Sequence, residues 1–415
     1  MTDFVDRARS AERAVRDLFP PTPLQRNDHL SQQFGSDILL KREDLSPVRS
    51  YKLRGAMNAM RKCLKDARGD QRFVCASAGN HAQGVAFACR HFEVDGVVFM
   101  PITTPQQKIQ KTRMFGGDRV RIELVGDYFD ETLLAAQEFC AKSGAHFLSP
   151  FDDPDVVEGQ ASVAVELVDQ LGAPPEVLIM PVGGGGLSAG VLRYLRAIDA
   201  KTEVHLVEPL GGQSLRAALV SGAPVDLDHV DNFVDGAAVA RIGADPFRTL
   251  KDVPLGYVHA VSEDRLCSTI LEMLNVEGIV LEPAGALSVD VLKDLRDVIT
   301  GRSVVCITTG GNFDFERLPE VKERSQRALG LKKYFILRLP QRPGALKDFL
   351  QMLGPDDDIA RFEYLKKSAR NFGSVLIGLE TTRAENFTRL FSEMEREGFS
   401  FRDITNDEIL SQFLI

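Results

Sequence analysis

The chain has 415 residues, 44% hydrophobic and 26% charged, which allows two or three domains with ordinary soluble cores. A formal net charge of −9, with no basic stripe interleaved with aromatics, argues against a nucleic-acid partner. No apolar run reaches membrane-span length, and residues 1–17 mix acids with arginines around no apolar core, so the expected setting is cytoplasmic, with no membrane partner.

Between about residues 36 and 310, short apolar runs alternate with helical patterns. The runs at 37–41, 73–76, 96–100, 119–125, 177–181, 204–207 and 303–308 are mostly continuous in Val, Ile, Leu and Phe. Strands buried on both faces of a parallel sheet read this way. Ala82, Val85, Ala86, Ala88 and Cys89 fall on one helical stripe, and Leu187, Val191, Leu192 and Leu195 on another. The expected class is α/β, with helices on both faces of the sheet and ligands beyond the strands' carboxyl ends. Cys63, Cys75, Cys89, Cys140, Cys267 and Cys306 are scattered, with no CxxC pair and no histidine at ligand spacing. They are expected as free thiols acting as small hydrophobes, with neither a disulfide framework nor a metal site.

Four strand ends carry chemistry. The first leads into Ser50-Tyr-Lys-Leu-Arg-Gly-Ala56, where Ser50 is expected to cap a helix with Lys52 in its first turn. The helix dipole there disfavours an ammonium, as a Schiff-base lysine requires. The second ends in Ser77-Ala-Gly-Asn-His81, an anion site at a helix mouth suited to a substrate carboxylate. His81 reads as a structural hydrogen-bonder, because a Schiff-base lysine can move the proton itself. The third runs into Gly183-Gly-Gly-Gly186 and a helix, a cradle for phosphate. That segment also satisfies a dinucleotide fingerprint, Gly184 to Ala189 with Glu208 ending the next strand, so alone it leaves NAD and a phosphate cofactor evenly matched. The fourth places Thr308 and Thr309 before Gly310-Gly-Asn312.

Together the Lys52 motif, the Ser77–Gly84 segment and the tetraglycine loop resemble fold-type II pyridoxal-phosphate enzymes, specifically the biosynthetic threonine dehydratases. The resemblance covers nearly the whole chain. It implies that Lys52 forms the Schiff base and that Asn80 bonds the cofactor's 3′-oxygen. Gly183, Gly184, Gly185, Gly186 and Leu187 would hold the phosphate, Thr309 would face the ring nitrogen, and Ser77, Ala78, Gly79, Asn80 and His81 would bind L-threonine. Threonine at 309 replaces the usual serine, and Tyr51 replaces a frequent phenylalanine. Related racemases carry a serine where this chain has Ala78, so racemisation is disfavoured. They also place an acid where this chain has Ser214, which speaks against a cation there. A dehydrogenase would leave the Lys52 and Asn80 segments unexplained, and a non-catalytic amino-acid sensor would have no need of Lys52.

Residues 1–320 are thus expected to form the catalytic domain and the polar stretch 321–332 a linker. Residues 333–415 read as strand (334–339), helix (from Pro343), strand (359–365), strand (374–379), helix (385–397) and strand (399–403), the ferredoxin-like βαββαβ order. This segment resembles the family's ACT-like regulatory half, in a single copy. The resemblance implies an isoleucine (or valine) effector near Arg342, Gly344, Leu346, Phe362 and Leu365, and a homo-oligomer, tetramer or dimer. Catabolic relatives lack this half.

Overall fold

A computed structural model describes residues 2–66, 71–365 and 372–407, which fall into two compact units divided between Phe315 and Glu316. In the first unit the chain lays down β1 (Leu24–Arg26) and β2 (Asp37–Arg42), then leaves to build a second sheet. That smaller sheet contains β3 (Arg72–Ala76), β4 (Asp95–Met100), β5 (Val120–Leu124) and β6 (His146–Phe147), all parallel in the order β5-β4-β3-β6. The chain then returns for β7 (Val177–Pro181), β8 (Glu203–Pro209), β9 (Val258–Val261) and β10 (Ser303–Thr308). The larger sheet has the order β1-β2-β10-β7-β8-β9, parallel except for the short antiparallel β1.

The continuous apolar runs follow from this layering. In β3, Phe73 and Cys75 face a core with Leu53, Met60, Val85 and Ala88, while Val74 and Ala76 face another with Ala136. Successive side chains alternate between two buried faces, so no polar alternation survives. Each fully buried large side chain contributes about 1.5–3 kcal/mol through removal from water. β5 departs from the buried pattern because it is the sheet edge: all five of its residues keep some exposure. The short strands β1, β6 and β9 were not foreseen, since runs of two to four residues show no period. All six cysteines are free, and burial pushes the thiols of Cys75, Cys89 and Cys306 up, Cys89 to about 12.

The second unit has β11 (Lys332–Pro340), β12 (Asp358–Leu365), β13 (Phe372–Glu380) and β14 (Ser400–Asp403), antiparallel in the order β12-β13-β11-β14. With the helices Ala345–Leu350 and Glu385–Arg396 this is the ferredoxin-like arrangement. Phe335, Leu337, Val375 and Ile377 meet Phe349, Phe387, Leu390 and Met394 in its core. One expectation needs correction. The helix expected from Pro343 starts at Ala345, because Gly344 takes a left-handed φ of +86° and holds the turn open. The polar stretch expected as a connection contains the helix Leu318–Ala328, which buries Val321 and Ser325, and β11 begins at Lys332, whose ammonium pairs with Glu323 and Glu380.

Candidate functional site

The carboxyl ends of β2, β3, β7 and β10 converge in the first unit. After β2 a short turn, Glu43–Leu45, leads through Arg49, a non-glycine residue at φ +58°, to the helix Lys52–Asp66. The start of that helix is pinned from two sides. Tyr51 N–H donates to Thr309 O at 3.2 Å, which ties it to the end of β10. Arg54, 0% exposed, donates to Glu43 at 2.7 Å and to Glu166 at 2.7 Å, and Lys41 reaches Glu166 at 2.6 Å. This buried four-charge cluster leaves the first turn little freedom, since removing any partner strands a buried charge. Ser50 does not cap the helix as expected: its hydroxyl is buried with no hydrogen-bond partner among the described residues, and its backbone bridges Gly310.

Lys52 Nζ donates to Pro150 O at 2.9 Å. Burial pulls its pKa down to about 8, with the charge of Glu282 working against the shift. Phe151, next in sequence, packs against the glycine loop: a Cβ on Gly184 would overlap its ring. One short segment thereby links the amine to the loop after β7.

Close packing and backbone conformation both require glycine in that loop. Gly185 sits at φ +86° and caps the helix Gly186–Ala197. A Cβ on Gly183 would fall 2.9 Å from Ala237 Cα, and one on Gly185 2.9 Å from Pro246 Cβ. The N–H groups of Gly183, Gly184, Gly185, Gly186 and Leu187 donate to no acceptor among the described residues. Adjacent N–H groups left without protein acceptors at a helix N-terminus are the chemistry that can hold an anion.

After β3, Gly79 caps the helix Asn80–His91, and a Cβ on Gly79 would meet open space. Ser77 and Ala78 stand beside it, half-buried, with Gly79 N–H donating to Ser77 Oγ at 3.2 Å. His81 donates from Nε2 to Leu148 O at 3.0 Å. Burial and the neighbouring Lys52 lower its pKa to about 3, so it is a neutral hydrogen-bonder in this fold. Thr309 is buried at the end of β10, with its carbonyl taken by Tyr51 N–H.

Two residues of this cleft escaped the sequence reading. Glu282 Oε1 accepts from Asn80 Nδ2 at 2.6 Å, and Asn312 Nδ2 donates to Asn80 Oδ1 at 2.7 Å. Glu282 precedes Pro283 and looked like an ordinary helix start, while Asn312 followed two glycines with no motif of its own. Only the folded chain brings them to Asn80, 202 and 232 residues away in sequence.

The acid that suited a dinucleotide is otherwise engaged. Glu208 accepts from the N–H groups of Leu215 and Arg216 at 2.7 and 3.0 Å, capping the helix Ser214–Ser221. It is fully buried, so no ribose can reach it.

In the second unit, a cavity of about 400 Å³ is lined by Leu339, Leu346, Leu350, Phe362 and Tyr364, with Arg342, Gly344 and Lys347 at its polar side. Arg342 pairs with Asp348 at 2.6 Å. Four of the five expected effector residues line this cavity; the side chain of Leu365 lies outside the described residues.

Residues 15–310 match the family of pyridoxal-phosphate dependent enzymes, and residues 323–414 match the C-terminal regulatory domain of threonine dehydratase. The biosynthetic L-threonine dehydratase of Bacillus subtilis (strain 168) is 46% identical over 406 residues, covering 98% of this chain and 96% of the relative. That of Halalkalibacterium halodurans is 42% identical over 406 residues, covering 98% and 97%. The processed form of threonine deaminase isoform 2 from Solanum lycopersicum superposes with a TM-score of 0.71 at 34% identity, covering 78% of this chain and 94% of that one. Alike in both halves and along nearly its whole length, the chain belongs to the pyridoxal-phosphate dependent enzymes, and among them to the biosynthetic L-threonine dehydratases.

Proposed function

We propose that the chain converts L-threonine to 2-oxobutanoate and ammonia for isoleucine biosynthesis, with L-serine as a second substrate. The observation that carries this reading is the row of five N–H groups after β7 that find no acceptor among the described residues, together with a buried Lys52 amine whose pKa is pulled down to about 8. The site fits pyridoxal phosphate: a glycine loop for its phosphate, an amine for its carbonyl, Asn80 for its 3′-oxygen and the buried Thr309 hydroxyl for its ring nitrogen. When bound, the cofactor withdraws electrons from the amino acid's Cα, so that the proton there becomes acidic and the β-hydroxyl can leave.

The protein groups then divide the work. A hydroxyl at 309 cannot keep the ring nitrogen protonated as a carboxylate would, which favours prompt β-elimination over a long-lived carbanion. Lys52 Nζ accepts the Cα proton, and its low pKa keeps a useful neutral fraction near pH 7. The substrate carboxylate is held by the Ser77–His81 turn, where Gly79 leaves room for close approach to the backbone. Ala78 offers no base on the opposite face, so inversion at Cα is not supported.

The second unit takes isoleucine, or valine, in the 400 Å³ cavity, with the carboxylate at Arg342 and the side chain on Leu346 and Phe362. Binding inhibits by favouring a less active arrangement of the protein. The enzyme works in the cytoplasm as a homo-oligomer, a tetramer or dimer.

The test is direct. The purified protein is yellow, borohydride fixes the cofactor to the peptide containing Lys52, and Lys52→Ala abolishes threonine turnover. A colourless protein that binds NAD, or a Lys52→Ala variant that keeps turnover, overturns the reading.

A further inference from the structure

The dehydration chemistry leaves one buried carboxylate of the cleft without a task. Glu282 is 6% exposed, and Gly310 is bare beside it: any Cβ there would overlap Glu282 Oε1. Glu282 N–H also donates to Gly310 O at 3.1 Å, so backbone and side chain both lock against the residue after Thr309. A carboxylate is a costly thing to bury unless hydrogen bonds and charges hold it.

Its partner is Asn80, and the partnership is directional. Asn312 Nδ2 can only donate; it gives one hydrogen to Val48 O at 2.8 Å and one to Asn80 Oδ1 at 2.7 Å. That fixes the Asn80 amide with Nδ2 towards Glu282, where one hydrogen is taken at 2.6 Å. The second Nδ2 hydrogen is left for another acceptor. Titratable groups of several elements act on the carboxylate. Tyr51 and Lys52 face it from the start of their helix, Lys108 from the helix Gln106–Gly116, and Asp235 from the turn after Val234. Lys111, on the same helix as Lys108, lies within reach of Glu282, Asp314 and Arg49. Lys108 is paired with Asp235 at 2.6 Å, while the charge of Glu282 acts on the amines of Lys52 and Lys111.

We propose that Glu282 is a positioning residue whose ionised form holds Asn80 with its spare hydrogen on the cofactor's 3′-oxygen, and whose protonation releases that hold. The inference rests on the assignment of Lys52 and Asn80 to the cofactor. Burial and Asp235 push the Glu282 carboxyl up to about 7, against the hydrogen bond from Asn80, so the change falls at neutral pH. The sign follows: the active form is the carboxylate, so activity is present above that pH and is lost as pH falls through it. A protonated carboxyl no longer demands a donor from Asn80, and the charge opposing Lys52's depression disappears with it.

The experiment uses the full-length holoenzyme, with Glu282→Gln keeping the acceptor oxygen without the charge and Glu282→Asp keeping the charge. Wild type should show an acid limb in kcat/KM with a midpoint at about pH 7. Glu282→Gln should lack that limb, lie about tenfold or more below wild type at high pH, and shift the visible cofactor band. Glu282→Asp should restore the limb in part. A merely structural glutamate would lower stability in both variants and leave the pH dependence and the band of each unchanged, which overturns the proposal. Should Glu282→Gln not fold, a wild-type profile without an ionisation between about pH 6 and 8 overturns it equally. Borohydride trapping at Lys52 separates the two readings: no trapping defeats the cofactor assignment, whereas trapping with unaltered pH behaviour defeats only the role of Glu282.

Discussion

Gly184 offers the sharpest test of the anion nest. A Cβ placed there lies within 2.5 Å of three ring atoms of Phe151, where an ordinary carbon contact needs about 3.5–4.0 Å. In Gly184→Ala, therefore, either the ring retreats by roughly 1 Å or more, or the loop moves and its N–H groups lose their common focus. Overpacking of this kind costs about 1–3 kcal/mol. If the loop gives way, cofactor affinity falls about 5- to 150-fold, at tenfold per 1.4 kcal/mol. If the ring gives way, Pro150 moves with it and Lys52 loses its 2.9 Å acceptor. Truncating the ring separates these outcomes. Phe151→Ala makes room for the methyl group, so the double variant Gly184→Ala/Phe151→Ala should bind cofactor better than additivity of the single changes allows. Equilibrium dialysis of pyridoxal phosphate against the four proteins measures the coupling. Unchanged affinity in Gly184→Ala, or strictly additive losses in the double variant, would refute the assignment of this loop as the phosphate cradle.

Other predictions follow from the same geometry. With Lys52 near 8, about one amine in ten is neutral at pH 7, against about one in three thousand for an ordinary lysine. Recombination of apoenzyme with cofactor should therefore speed up with rising pH and level off above about 8; a rate still climbing tenfold per unit past pH 9 contradicts this. Arg54→Met takes from buried Glu43 its guanidinium partner, while Glu166 keeps Lys41, and should cost about 3–5 kcal/mol in urea unfolding; a loss below about 1 kcal/mol would show the cluster to be dispensable. Asn80→Ala should weaken cofactor retention by about 0.5–1.5 kcal/mol, and Gly185→Val by more, because the latter forces a side chain into φ +86°. A chain ending at Phe315 should keep some threonine turnover and lose all response to isoleucine and valine, as should full-length Phe362→Ala in its response alone. A truncated enzyme that still responds would move the sensor into the first unit.

Much of this molecule is written locally. Continuous apolar runs announce parallel strands because both faces of each sheet are covered, and glycine clusters announce anion sites because only glycine lets the backbone crowd a ligand. Lys52, Asn80 and the Gly183–Gly186 loop could thus be marked as candidates that pointed to one chemistry only in combination, along with the βαββαβ order of the second unit. What local pattern does not hold is which distant side chains meet. Ser50 has the composition of a cap, yet the pairing of its backbone with Gly310 leaves its hydroxyl stranded. Glu208 has the spacing of a ribose acid, yet the helix folded beneath it claims both its oxygens. Glu282 and Asn312 carry no motif at all and reach Asn80 only because β10 returns beside β2, across more than 200 residues of sequence. Periodicity and backbone permissiveness are properties of neighbours in the chain and survive in a one-dimensional reading. The burial that brings Lys52 to about 8 and Glu282 to about 7 is a property of the packed cleft, and exists only once the sheets have closed around it.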